Sequence, residues 1–157
     1  EEIVEVDVVF DNCIFEEDVL AYFHHEPSGY TFTADFEGEV RFTNCTFKQD
    51  AMFKYSEFDG IVDFSGAEFS RGNTFKYAKF DKSADFSSTV FQLDATFKYA
   101  EFDRGANFSN AVFEDDWNIK YMKAEGAFQV EGMKVDEIDA KYTKINGKSF
   151  SVFLLNR

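Results

Sequence analysis

The chain is poor in residues that most folds rely on. It has one proline, Pro27, so no proline-rich linker divides it. Only two leucines, Leu20 and Leu93, lie outside the last few residues. Two cysteines, Cys13 and Cys45, are too few for a disulfide scaffold. No run of about 18 apolar residues occurs, so no segment reads as a membrane span. No targeting segment is visible, and a cytoplasmic setting is the expectation.

Basic residues are also scarce. The 157 residues carry a formal charge of −14, unevenly spread. Residues 1–60 hold 15 acids and three bases, residues 61–118 ten acids and six bases, and residues 119–157 five acids and seven bases. An acidic chain lacks the basic surface that displaces counterions from nucleic acid or docks on anionic lipid. The expected partner is therefore a protein, with no direct nucleic acid and no membrane.

What is abundant is phenylalanine, 22 residues of it. Phe36, Phe42, Phe47, Phe53, Phe58, Phe64, Phe69, Phe75, Phe80, Phe86, Phe91, Phe97, Phe102, Phe108 and Phe113 alternate in steps of six and five. The 11-residue unit doubles into a 22-residue one: FKYSEFD at 53–59, FKYAKFD at 75–81 and FKYAEFD at 97–103. A degenerate copy, IKYMKAE, follows at 119–125. Steps of five and six scatter side chains around an α-helix instead of striping them, so a helical reading fails. Four faces per 22-residue coil, each with one inward Phe, fit instead, with coils stacked at about 4.8 Å.

The residue two before each Phe is small in most units, as in Ala34, Ala67, Ala78, Ala84, Ala95 and Ala106. Residues two apart in a strand share a face, so a small inward side chain accompanies each ring. Ala84-Asp85-Phe86 and Ala106-Asn107-Phe108 resemble the unit of the pentapeptide-repeat family, Ala-Asp/Asn-Leu-x-x, with Phe in place of Leu. The resemblance covers about residues 31–135 and implies an all-β fold, a right-handed quadrilateral parallel β-helix. The chain departs from the family pattern because every second unit has six residues, which predicts wider turns at two of the four corners.

The ends follow by register. FDNCIF at 10–15 parallels FTNCTF at 42–47 at an offset of 32, so about ten residues near 22–31 are inserted as a projecting loop. Cys13 and Cys45 then share a column, with free stacked thiols preferred to a disulfide. Toward the C-terminus the inward slots become Ile119, Ala124, Val130 and Val135. The expected division is a solenoid over 1–140 and a segment, 141–157, that either caps the last coil or contacts a second copy through Phe150 and Phe153. Several pentapeptide-repeat proteins are dimers through this end, so the resemblance implies a possible homodimer.

No phosphate loop, zinc spacing or nucleophile arrangement is visible. The chain reads as a non-enzyme without cofactor or metal. His24 and His25 beside Glu26 lack a third ligand and read as part of a solvated recognition loop. Tyr55, Tyr77, Tyr99 and Tyr121 align at 22-residue spacing, as do Lys54, Lys76, Lys98 and Lys120. The tyrosines form a candidate contact stripe, or stacked pairs that serve the strands alone. The row Asp59, Asp81, Asp103 and Glu125 should repel itself unless turn amides hydrogen-bond to it. The functional expectation is a structural or protein-interaction module. The alternative implied by the resemblance is an acidic DNA mimic that binds a type II topoisomerase.

Overall fold

The computed structural model describes residues 2–156 and consists of short strands, two residues long in most coils, closed by one helix. The strands fall into four stacks. One is a nine-stranded sheet and the other three have six strands each. Within each stack the coils pair in parallel, and the partners are 22 residues apart: Phe58 with Phe80, Val62 with Ala84, Glu68 with Val90 and Asn73 with Ala95. This is the parallel β-solenoid that the Phe spacing predicts.

The core is the Phe ladder. Phe47, Phe53, Phe58, Phe64, Phe69, Phe75, Phe80, Phe86, Phe91, Phe97, Phe102 and Phe108 are buried, as are Phe42 and Phe113. Rings in one column lie nearly parallel, with centroids 4.9 Å apart for Phe58–Phe80 and 4.8 Å for Phe69–Phe91. Rings from opposite columns meet edge to face across the core, at 82° for Phe64–Phe75 and 88° for Phe86–Phe97. Both arrangements suit the ring quadrupole and add about 0.5–1.5 kcal/mol per pair beyond burial itself. The alanines two residues earlier, such as Ala67 and Ala95, are fully buried and leave room for the rings.

The corners differ by spacing. Five-residue steps are β-turns in which the fourth amide donates to the first carbonyl, as from Ala67 N–H to Phe64 (3.0 Å) and from Ala78 N–H to Phe75 (3.0 Å). At one six-residue corner the Asp50 carboxylate accepts the Gly72 amide at 3.1 Å, and at the other backbone packs against backbone. A Cβ on Gly60 would stand 2.3 Å from the Gly38 carbonyl oxygen, so that corner admits no side chain without a shift.

The first coil is 32 residues long, pairing Glu2 with Ala34 and Phe15 with Phe47. Its strands are β1 (Glu2–Val4), β2 (Val8–Asp11), β3 (Ile14–Phe15) and β4 (Val19–Leu20). The extra residues form an antiparallel hairpin of β5 (Tyr22–His25) and β6 (Tyr30–Phe36), from which β6 continues into the nine-stranded stack.

At the other end the column changes character. Trp117 takes the slot of Ala95, and Trp117, Ile119, Met122 and Phe128 are buried in a mixed packing. The last rung, Lys144–Ile145, is covered by an antiparallel strand, Lys148–Ser149, and then by α1 (Phe150–Leu155). Ser149 caps α1 by accepting from the Val152 amide. Phe150 is buried, and Phe153 meets Phe128 edge to face at 5.6 Å. Phe150 and Phe153 thus pack onto their own chain. Among the described residues, no helix is long and apolar enough to cross a membrane.

Candidate functional site

The two five-residue corners use the same turn with different residues. One carries Asn12, Asn44, Gly66, Ser88, Asn110 and Gly132 at its third position, all with positive φ. Turns of this class need a left-handed residue there, and Asn and Gly supply it with little strain. The corner diagonally opposite carries Tyr55, Tyr77, Tyr99, Tyr121 and Tyr142 at φ of 59° to 63°. A left-handed conformation costs a residue with a Cβ about 1–2 kcal/mol. The chain accepts that cost at five successive coils.

Contacts along the column offset it. Tyr55–Tyr77, Tyr77–Tyr99 and Tyr99–Tyr121 stack at 4.9, 4.7 and 4.7 Å within 9° of parallel, and Tyr121–Tyr142 continues the stack at 4.9 Å. Tyr22 extends it to the first coil, 5.9 Å from Tyr55. The ammonium groups of Lys54, Lys76, Lys98 and Lys141 lie 4.9, 5.2, 5.4 and 5.1 Å from the tyrosine ring of their own turn. Each such cation–π contact contributes about 0.5–1 kcal/mol at an exposed site. Lys120 instead pairs with Asp139 at 2.6 Å. Partial desolvation, then the neighbouring Tyr121 and Tyr77, raises the Tyr99 phenol above its ordinary value. The outer edge of the column stays open to solvent, and a groove of about 400 Å³ runs beside it, lined by Tyr77, Tyr99, Glu101, Tyr121, Lys123 and Tyr142.

The other sequence-derived candidates lie elsewhere. His24 and His25 stand on β5, two and three residues beyond Tyr22. His24 Nδ1 is 2.8 Å from Thr31 Oγ1, and His25 Nδ1 is 2.7 Å from Ser28 Oγ. The two imidazoles thus bond to their own hairpin and share no third ligand. Cys13 and Cys45 are both free, and burial raises the Cys45 thiol. In the Asp59, Asp81 and Asp103 row, Asp81 meets a lysine and not a turn amide, pairing with Lys79 at 3.0 Å. Carboxylates that do accept backbone amides at the corners include Asp63 and Asp85, each 2.8 Å from the amide two residues on, and Asp50, 3.1 Å from the Gly72 amide.

Reasoning from sequence placed Tyr55, Tyr77, Tyr99 and Tyr121 in one stripe but missed Tyr142. The last coil is one residue short, pairing Trp117 with Ile138 and Lys123 with Lys144, so Tyr142 stands 21 residues from Tyr121. The repeated Lys-Tyr dipeptide at 141–142 is the signal that would have found it.

A model of the family described as pentapeptide repeats (9 copies) matches residues 32–78 and 75–118. No curated protein and no solved structure matches the chain. The two matched stretches together span more than half of the sequence and coincide with the regular Phe-lined coils, and this chain therefore belongs to the pentapeptide-repeat family.

Proposed function

We propose that this solenoid is a rigid, non-catalytic protein-interaction module whose tyrosine–lysine corner contacts a partner protein. The observation that carries this reading is the use of tyrosine at five successive left-handed positions. The opposite corner makes the same turn with Asn, Gly and Ser, so the fold does not demand tyrosine. Strain repeated at an exposed site points to a role beyond folding. Tyrosine presents a large, rigid, amphipathic edge, which suits recognition. The lysine column beside it favours a partner that presents carboxylates.

The test is co-purification of a partner with the wild-type chain, Tyr77→Asn/Tyr99→Asn, and Lys76→Glu/Lys98→Glu. Both variants should keep the circular dichroism spectrum, since Asn is at ease with positive φ. A protein retained by wild type and released by both variants supports the reading. Retention unchanged by either variant overturns it.

A second reading is mimicry of DNA toward a type II topoisomerase. It is favoured by an acid at one corner of five successive coils: Glu37, Asp59, Asp81, Asp103 and Glu125. The lysine column at the next corner opposes it. Inhibition of gyrase supercoiling that weakens with salt would support mimicry, and no effect at tens of micromolar removes it.

A further inference from the structure

Two columns of opposite charge flank one face of the solenoid. The face is the stack that carries Glu57, Lys79, Glu101 and Lys123. On one side of it lies the tyrosine–lysine corner. On the other lies the acid corner, which runs from Glu37 to Glu125, one acid per coil. Lys79 reaches Asp81, and Lys120 reaches Asp139. Lys54, Lys76 and Lys98 on one corner, and Asp59, Asp103 and Glu125 on the other, form no ion pair among the described residues. One molecule thus carries a column of ammonium and phenol donors and a column of carboxylate acceptors that do not meet each other.

Spacing decides what fits. The tyrosines repeat every 4.7 to 4.9 Å, and the acids follow the same coils. A β-strand laid along the corner presents the side chains of one face about every 6.7 Å, and an α-helix about every 5.4 Å. After four coils the strand is out of step by about 8 Å and the helix by about 2 Å. Another solenoid of the same rise stays in step at every coil.

We infer that the occupant of the tyrosine–lysine corner is a second copy of this chain, whose acid corner lies along it. The inference rests on the reading of that corner as a protein-contact surface and names its partner. Ammonium and phenol groups of one copy donate to carboxylates of the next, and such charge-assisted bonds are the strong ones. Charge along the chain sets the direction. Residues 1–60 hold 15 acids and three bases, and residues 119–157 five acids and seven bases. Antiparallel copies place the acidic part of one beside the basic part of the other, whereas parallel copies place like beside like. The contact joins unlike patches, so each added copy leaves one corner of each kind free. Association is therefore open and does not stop at a dimer.

The test is sedimentation velocity over a range of concentrations. The wild-type chain should sediment faster as concentration rises, and beyond the dimer. Lys76→Glu/Lys98→Glu and Asp59→Lys/Asp103→Lys each set like charges against each other and should weaken self-association about tenfold or more. An equimolar mixture of the two should restore it, because each keeps the corner that the other has lost. If either loses the wild-type circular dichroism spectrum, Lys76→Gln/Lys98→Gln and Asp59→Asn/Asp103→Asn give the same comparison with milder changes. A wild-type chain that stays monomeric, a variant that associates as wild type does, or a mixture that stays monomeric overturns the inference. Co-purification separates this from failure of the wider reading. A foreign protein held by a monomeric chain and released by Tyr77→Asn/Tyr99→Asn overturns the inference and leaves the corner a contact surface, whereas a monomeric chain that holds no foreign protein overturns both.

Discussion

At the C-terminal end the last rung, Lys144–Ile145, is paired with Lys148–Ser149 and roofed by α1, and the Phe column gives way to Trp117, Ile119, Met122 and Phe128. Among the described residues β1 to β4 carry no such roof, and Phe10 and Phe15 keep the regular column up to an open mouth. A flat ring stack has no natural terminus, because each ring offers its face to the next. Closing the column takes irregular shapes that fill the space above the last ring, and one end has them. The first coil keeps the regular stacking of Phe10 on Phe42 and Phe15 on Phe47 and leaves Ile3, Val9, Ile14 and Leu20 exposed.

The largest expected effect sharpens this contrast. Phe86 is fully buried and stacks on Phe64 and Phe108, with Phe75 and Phe97 against its edges. Phe86→Ala should cost about 3–5 kcal/mol by loss of transfer energy and a cavity that rigid neighbours cannot fill. Phe10→Ala, at the open mouth, should cost about 1 kcal/mol, since the ring is already partly hydrated and no closed cavity forms. Denaturant unfolding of the two variants gives the comparison. Equal costs would mean that the N-terminal end is as closed as the centre. The next effect is at the roof. Phe150→Ser removes a buried anchor and should destabilise by about 2 kcal/mol. It should also raise binding of an apolar dye to the C-terminal end, making the two ends alike.

Much of this was legible before any coordinates. Alternating steps of six and five from Phe36 to Phe113 fixed both the four-faced coil and the 22-residue register. The offset of 32 between Phe10 and Phe42 located the insertion. A repeat is readable because each coil contacts only its neighbours, so spacing translates directly into proximity. Other features resisted. Tyr at positive φ gives no turn signal, since the residues that announce such turns sit at the opposite corner. Ile3, Val9, Ile14 and Leu20 each look like ordinary strand residues. They become an exposed apolar set, one on each face, only once the register puts them on one coil. The hairpin of β5 and β6 hid behind Pro27 and Gly29, which mark a turn but not the strands around it.

The smallest effect tests whether charge also distinguishes the ends. Asp139 lies on the last coil and accepts from Lys120 at 2.6 Å. That hydrogen bond, more than any other influence, holds the Asp139 carboxyl below the usual carboxylate range. A carboxylate depressed in the folded state stabilises it above the unfolded value of about 3.9. The contribution is lost as the pH falls through the folded value. The pair is exposed to solvent, so the effect is small and screened by salt. Thermal unfolding of wild type and Asp139→Asn should therefore differ slightly near neutrality, with wild type the more stable, and converge in acid. The matching ion pair at the other end, Lys48 with Glu16 at 2.9 Å, ties the first coil to the second, whereas Lys120–Asp139 ties the last coil to the one before it. If Glu16→Gln and Asp139→Asn lose the same small increment, the two ends differ in shape and apolar surface alone. A loss confined to Asp139→Asn would show that the last coil is held electrostatically and that the Glu16 carboxylate contributes nothing to folding.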